Sequence, residues 1–412
     1  MNPIGGNKNP FNIVVIVAAL GYFVDIYDLI LFGIVKDPSL KALGITSPEE
    51  LSKVGSHLLN MQMIGMLIGG IIWGILGDKR GRLSTLFLTI LMYSLANIAN
   101  GFVQTVTQYE WLRFIAGVGL AGELGIGITL VSEVMTKESR GMGASIVSGI
   151  GILGAVLGFM VADLFDWRMA YWVGGGLGLL LLILRISVYE SGMFEKTKTE
   201  NVKRGDFLSL FTNFKRFKTF LFCIFIGVPV WYVISQLVIS APAYAKALNI
   251  TGAITGAKSV TFHYIGASLG SLIFGFISER LKSRKKSLFL AISSLTVFCI
   301  LYFSSAGASA NVFYTFIFLT GISMGGLWAV FMTVSSESFG TNLRATVTTT
   351  APNFVRGTTV LISYCIAMLS ENNKFLIMAG IIVGSGCILF SLIGLFGIKE
   401  SHGKDLNYNE EP

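Results

Sequence analysis

The chain reads as long apolar stretches divided by short polar ones, and the apolar stretches do not alternate; residues 169–184, for example, are apolar or glycine throughout. Strands of a transmembrane barrel alternate over about 10 residues, so helices are predicted instead. A helix needs about 20 mostly apolar residues to cross the hydrocarbon. Twelve stretches qualify, at 11–35, 55–77, 84–104, 108–132, 142–163, 169–189, 218–241, 254–278, 287–305, 312–336, 345–369 and 375–398, here called spans 1 to 12. The first is too long for a signal peptide, lacks a basic opening and a cleavage site, and holds two aspartates, so it is expected to be retained. The longest polar interval divides six spans from six. It predicts a six-helix bundle over 1–189, a cytoplasmic loop over 190–217, and a second bundle over 218–412 ending in a short cytoplasmic tail.

Composition agrees with this reading. Of 412 residues, 53% are hydrophobic and 13% charged, about half the charge of a soluble domain. A soluble enzyme and a disordered chain are both excluded on that ground. The net charge of +8 invites a nucleic-acid reading, but the distribution of the charge argues otherwise. With both termini inside, 22 of the 31 Lys and Arg fall in cytoplasmic segments and 7 outside, leaving Arg113 and Arg356 within spans. That bias is the positive-inside signal of a multi-pass membrane protein, so no nucleic-acid partner is expected. Cys223, Cys299, Cys365 and Cys387 lie in apolar stretches without CxxC spacing. They read as small buried hydrophobes, with no metal site.

The two halves repeat one pattern. Gly74, Asp78 and Lys79 find counterparts in Gly275, Glu279 and Arg280 at an offset of 201. Gly117, Gly122, Glu133 and Arg140 find Gly321, Gly326, Glu337 and Arg344 at an offset of 204. Parallel six-span repeats place a substrate between the halves near the midplane, reached by rocking one half against the other.

With Gly74, Asp78, Lys79, Gly81 and Arg82 at the turn between spans 2 and 3, the chain resembles the major facilitator superfamily over essentially its whole length. It is similar more narrowly to the metabolite:proton symporters, which include carriers of proline and betaine, 2-oxoglutarate, citrate and shikimate. Asp25, Ile26, Tyr27, Asp28, Phe32 and Gly33 fit that group in span 1, and Arg113, Gly117, Gly119, Gly122 and Glu123 fit it in span 4. Glu337, Arg344 and Asn353 fit the entry to span 11. Met66 and Leu67 stand where the group has an Arg-Pro pair, and Arg356 lies outside its pattern. Span 5 lacks the Gly-Pro pair of many drug antiporters. The resemblance implies an all-α fold of twelve helices in two pseudo-symmetric bundles, and an inner gate formed by Asp78, Arg82, Glu133, Arg140, Glu337 and Arg344.

A charge at a helix centre costs about 2.5–3.5 kcal/mol on insertion scales, so charges kept there are expected to face a cavity and act in transport. Asp25, Asp28, Arg113, Glu123 and Arg356 qualify. At about 1.5 Å per residue, depth permits an Asp28–Arg113 pair and places Asp25 near Glu123. Asp25 and Glu123, without an evident cation partner, are the favoured proton carriers. Three acids and two arginines also make one proton sufficient to neutralise the cluster. Arg356, with its planar donors, suits a substrate carboxylate, with Asn353 beside it. A fixed ion pair between the halves is the alternative.

Tyr27, Trp231, Tyr232, Gln236 and Trp328 are further candidates for the pocket wall, each weighed against ordinary packing. His263 with Tyr264 reads as a core pair or a proton relay, and Asn60 and Gln62 as interhelical contacts. The expected function is proton-coupled uptake of a small carboxylated or zwitterionic metabolite by a monomeric, multi-pass carrier of a bacterial inner membrane, without cofactor. The alternatives are an efflux antiporter for amphipathic or siderophore-like compounds and a non-transporting sensor. GDKRGR lacks the GxxxxGK[ST] phosphate cradle, so ATP-driven pumping has no support.

Overall fold

A computed structural model describes residues 8–186, 190–199, 202–370 and 375–410. Twelve long helical segments account for most of it. In the first half these are Ile13–Ala42, Pro48–Arg80, Arg82–Asn100, Val106–Val134, Arg140–Leu164 and Trp167–Arg185. In the second they are Phe214–Ile239, Gly256–Arg280, Arg284–Phe303, Ala310–Glu337, Arg344–Ser370 and Leu376–Gly397. These are spans 1 to 12 in order. The expected domain boundary at 189/190 adjoins 187–189, outside the described residues.

Eleven of the twelve are long and apolar enough to cross a bilayer. Span 11 has the length, 27 residues, but carries a polar inner half in which Thr346, Thr348, Thr349, Thr350 and Asn353 are all buried. Its polarity faces protein. That is where a membrane tolerates it.

The helices are not uniform rods. Span 4 turns at Ala121 and Gly122, where Val106–Leu120 gives way to Glu123–Val134. In span 7, Pro229 removes an amide donor, and Val233–Ile239 continues as a π-helix.

Close packing follows the repeat. A Cβ on Gly65 or Gly69 of span 2 would lie 2.3 or 2.4 Å from carbonyls of span 4, and one on Gly117 would lie 2.2 Å from the Gln62 carbonyl. In the second half Gly266, Gly270, Gly321 and Gly325 bring spans 8 and 10 equally close, at 1.8–2.2 Å. Only glycine permits this approach, and without a hydrophobic drive between helices in lipid such contact is what holds them. The halves meet along spans 2 and 11 and along spans 5 and 8. A Cβ on Gly74 would be 2.8 Å from Thr346, and one on Gly275 would be 2.1 Å from Ser145.

Three of the four cysteines are buried as expected, but Cys365 is exposed on the outer half of span 11. The apolar run around it has a lipid-facing side, and the cysteine lies on it.

Candidate transport site

The ionisable residues predicted inside the spans gather about span 1, each with a guanidinium. Arg113 Nη2 lies 3.8 Å from Asp28 Oδ1 and donates to Asn97 Oδ1 at 2.8 Å. The Tyr171 ring sits 4.9 Å from the same guanidinium. Arg356 Nη2, on span 11, lies 3.9 Å from Asp25 Oδ2, so this pair crosses between the halves. Glu123 accepts from Arg185 Nη2 and from Thr89 Oγ1. All six charged groups are at most 2% exposed. Two surface hollows, of about 390 and 480 Å³, lie against spans 9 and 12 and spans 3 and 4, and neither touches the charged residues.

The Glu123 partner corrects two expectations. Arg185, counted with the loop charges, is the last residue of span 6 and is 1% exposed. Glu123 and Asp25 therefore both have cations. The buried group becomes three acids and three arginines rather than three and two. Any side chain at position 21 would obstruct this pair, since a Cβ on Gly21 would sit 1.9 Å from Glu123 Oε1.

Several candidates for the pocket wall face elsewhere. Tyr27 donates its hydroxyl to the Ala170 carbonyl at 2.8 Å and packs against Gly158 and Gly174, inside the first half. Tyr232 donates to the Gly380 carbonyl at 2.7 Å and lies against span 12. Both point away from the partner half because each helix has a second face, which its own bundle claims. Trp328, by contrast, crosses the divide, its Nε1 donating to Tyr22 Oη at 3.0 Å. Asn353 also crosses, donating to the Ala121 carbonyl at 3.0 Å, while its Oδ1 accepts from Arg356 Nη1 at 2.9 Å. It positions the arginine. Gln236 donates to Ser363 Oγ at 3.2 Å, and Trp231 is buried with no partner for Nε1 among the described residues. Gln62 and His263 are fully buried. Asn60 is exposed.

A second charged network joins the halves at the face that carries the chain ends. Glu133 takes Arg82 Nη2 at 2.8 Å within its own half and Arg344 Nη1 at 2.7 Å from the other. Glu337 mirrors it, taking Arg284 Nη2 at 3.0 Å within its half and Arg140 Nε at 2.7 Å from the other. Asp78 accepts from the backbone of Ala345 and Thr346 and from Thr346 Oγ1, at 2.7–3.1 Å. Arg284 lies in the polar interval after span 8, and its offset of 202 from Arg82 matches the repeat that brings it here.

The segments after spans 6 and 12 complete the repeat. Ser191 Oγ donates to Glu133 and Ser401 Oγ to Glu337, at 2.5 and 2.7 Å. Glu190 accepts from Leu83 N, and Glu400 from Arg284 N, each capping the start of a helix in its own half, spans 3 and 9, which are repeat counterparts. Burial holds the Glu190 carboxyl above its ordinary range. Hydrogen bonds from Ser283 and three backbone amides pull that of Glu400 down to about 2. The Glu-Ser pair at 190–191 and 400–401 was the signal available for these residues.

Residues 18–359 match the sequence profile of the Major Facilitator Superfamily. The chain belongs to that superfamily. Among its relatives, a probable 4-methylmuconolactone transporter of Cupriavidus pinatubonensis is 28% identical over 79% of this chain and 76% of its own. A benzoate transport protein of Acinetobacter baylyi is 24% identical over 81% of this chain and 78% of its own. A cis,cis-muconate transport protein of the same organism is 26% identical over 95% of each chain. The fold is that of the proton:xylose symporter XylE bound to 6-bromo-6-deoxy-D-glucose, at a TM-score of 0.79 with 16% identity, covering 96% of this chain and 97% of that one. This superfamily member is a multi-pass membrane transporter, not an enzyme.

Proposed function

We propose that this transporter takes up a small carboxylated metabolite together with protons, by rocking the bundle of residues 1–189 against that of 218–412 about the charged group on span 1. The face with the chain ends is cytoplasmic on this reading, in keeping with its excess of Lys and Arg. The network of Asp78, Arg82, Glu133, Arg140, Glu337 and Arg344 then serves as the inner gate, which must break for release inward.

One observation carries the proposal. Asp25 and Arg356 lie 3.9 Å apart across the halves, and among the described residues neither Asp25 oxygen has a hydrogen-bond partner. A guanidinium so placed offers paired donors to a carboxylate, and its own aspartate, once protonated, releases it to do so. The names of relatives as carriers of organic acids support the same substrate class.

The test is uptake into proteoliposomes of a panel of nicotinate, benzoate, 4-methylmuconolactone, cis,cis-muconate, proline and betaine, with and without an external acid pulse. Accumulation of a carboxylate that collapses with a protonophore is expected. Arg356→Lys should lose affinity for that carboxylate. Asp25→Asn should keep exchange and lose proton-driven accumulation. Pulse-independent uptake, or none of any carboxylate, refutes the reading.

A further inference from the structure

Two of the three ion pairs gathered about span 1 are complete within one half. Asp28 and Arg113 both belong to the first bundle, where Asn97 and Asn100 also accept from the guanidinium, at 2.8 and 3.4 Å. Glu123 and Arg185 likewise belong to it, with Thr89 as a third partner and the bare backbone of Gly21 admitting the pair against span 1. Of these three, the Asp25–Arg356 pair is the one that crosses the divide. The other charges that act on Asp25 are Glu123 and Asp28, each already matched. The six charges sum to zero.

That sum constrains what can move. A net charge confined in a low-dielectric site between packed helices is strongly disfavoured, whereas a compensated one is tolerated. The empty carrier is balanced and free to reorient. Substrate anion alone leaves one negative charge, and a proton alone leaves one positive charge. An anion with a single negative charge and one proton restore the balance. A dianion would need two protons, yet Asp28 and Glu123 keep arginines of their own half, whereas a substrate that takes Arg356 strips Asp25 of its cation and leaves it as the acid to take one.

Resting on the transport reading above, we infer that the carrier takes monocarboxylate anions one-for-one with a proton, without net charge movement, and that Arg185 sets this count by cancelling Glu123. Arg185 bonds Glu123 and not the pair that crosses the halves. It is a positioning residue for charge.

The experiment uses the full-length protein in proteoliposomes with the acid panel named above, varying the pH gradient and a potassium-valinomycin diffusion potential separately, and subtracting protein-free vesicles. Accumulation of a monocarboxylate should rise about tenfold per pH unit, the worth of one proton, and should not respond to the potential. cis,cis-Muconate should not accumulate. Asp25→Asn, which leaves a surplus positive charge, should exchange the anion without a proton, and its remaining net flux should become sensitive to the potential. Arg185→Gln should slow both exchange and net uptake, and Arg185→Gln with Glu123→Gln should restore them, although the ion pair is gone in both. Potential-dependent accumulation of a monocarboxylate by the unaltered protein overturns the inference while leaving proton-coupled uptake intact. So does proton-driven accumulation of the dicarboxylate, or a double variant as slow as Arg185→Gln. Failure of every carboxylate to accumulate removes the transport reading itself, and this one with it.

Discussion

Replacing Glu133 by Gln should shift the carrier toward the conformation open on the face of the chain ends, and the size of the shift can be worked from the contacts. Glu133 holds Arg82 through two nitrogens, at 2.8 and 3.1 Å, and Arg344 through one, at 2.7 Å. Arg82 belongs to the same bundle and keeps the glutamate through any rocking motion, so its loss weakens both states alike. Arg344 belongs to the other bundle, so on the proposed rocking motion its contact is lost when this face opens. A charge-assisted hydrogen bond is worth about 1.5–3 kcal/mol net. The closed state should therefore lose that much relative to the open one, roughly 10- to 150-fold in population at 1.4 kcal/mol per factor of ten. Spin labels at Glu138 and Lys282, exposed positions in opposite halves on this face, would read the change as growth of the longer distance in pulsed dipolar spectra. The exposed Cys365 is replaced first to keep labelling specific. Glu337→Gln, which frees Arg140 in the mirrored place, should act equally. Distance distributions unchanged in both variants would show that these pairs do not bear on the equilibrium.

Three other outcomes follow from single contacts. Tyr232→Phe removes the bond to the Gly380 carbonyl and should cost about 1 kcal/mol of stability, seen as a lower Tm, with KM for the transported acid unchanged; a raised KM would put Tyr232 at the substrate after all. Gly270→Ala drives a Cβ to 1.8 Å from the Ile322 carbonyl and should cost about 1–3 kcal/mol as overpacking, against no loss of Tm if spans 8 and 10 part easily. Docking of the tail through Glu400 should be complete above pH 4.5, where its carboxyl would ordinarily titrate, and be lost as pH falls toward about 2. This is the sign for a carboxylate whose folded pKa is depressed. The mobility of a spin label at Asn407 should report it, and Glu400→Gln should show the mobile signal already at neutral pH.

The helices were legible because each had to be continuously apolar over a bilayer's thickness, and the pairing of spans 2 with 4 and 8 with 10 because close approach in lipid demands small residues at repeating positions. Span 11 was legible by length in spite of its threonines. Asp28 and Arg113 could be matched by depth alone. Arg185 could not, since an arginine at the end of span 6 counts equally as a loop charge until the third dimension brings Glu123 beside it. The direction of Tyr27 and Tyr232 was hidden for a related reason. An aromatic on a helix that borders a cavity has even odds of belonging to the bundle behind, and only the positions of the Ala170 and Gly380 carbonyls decide it.

If the halves rock as proposed, the arrangement at this face lets them part without stranding charge. Each half keeps its own glutamate satisfied by its own arginine, Glu133 by Arg82 and Glu337 by Arg284. Each then lends one more arginine across, Arg344 to Glu133 and Arg140 to Glu337. Were the glutamates paired only across the divide, parting the halves would leave two carboxylates bare at the mouth of the channel, at a cost of several kcal/mol for each buried ion. With one arginine retained, each carboxylate stays compensated, and the lent guanidiniums pass into water, where a charge is at home. The tail adds to the closed state in the same currency, since the carbonyls of Lys404 and Leu406 accept from Arg140 and Arg344 at 2.8 and 2.6 Å. What opening gives up is thus limited to contacts that water replaces, and a gate limited in that way can cycle.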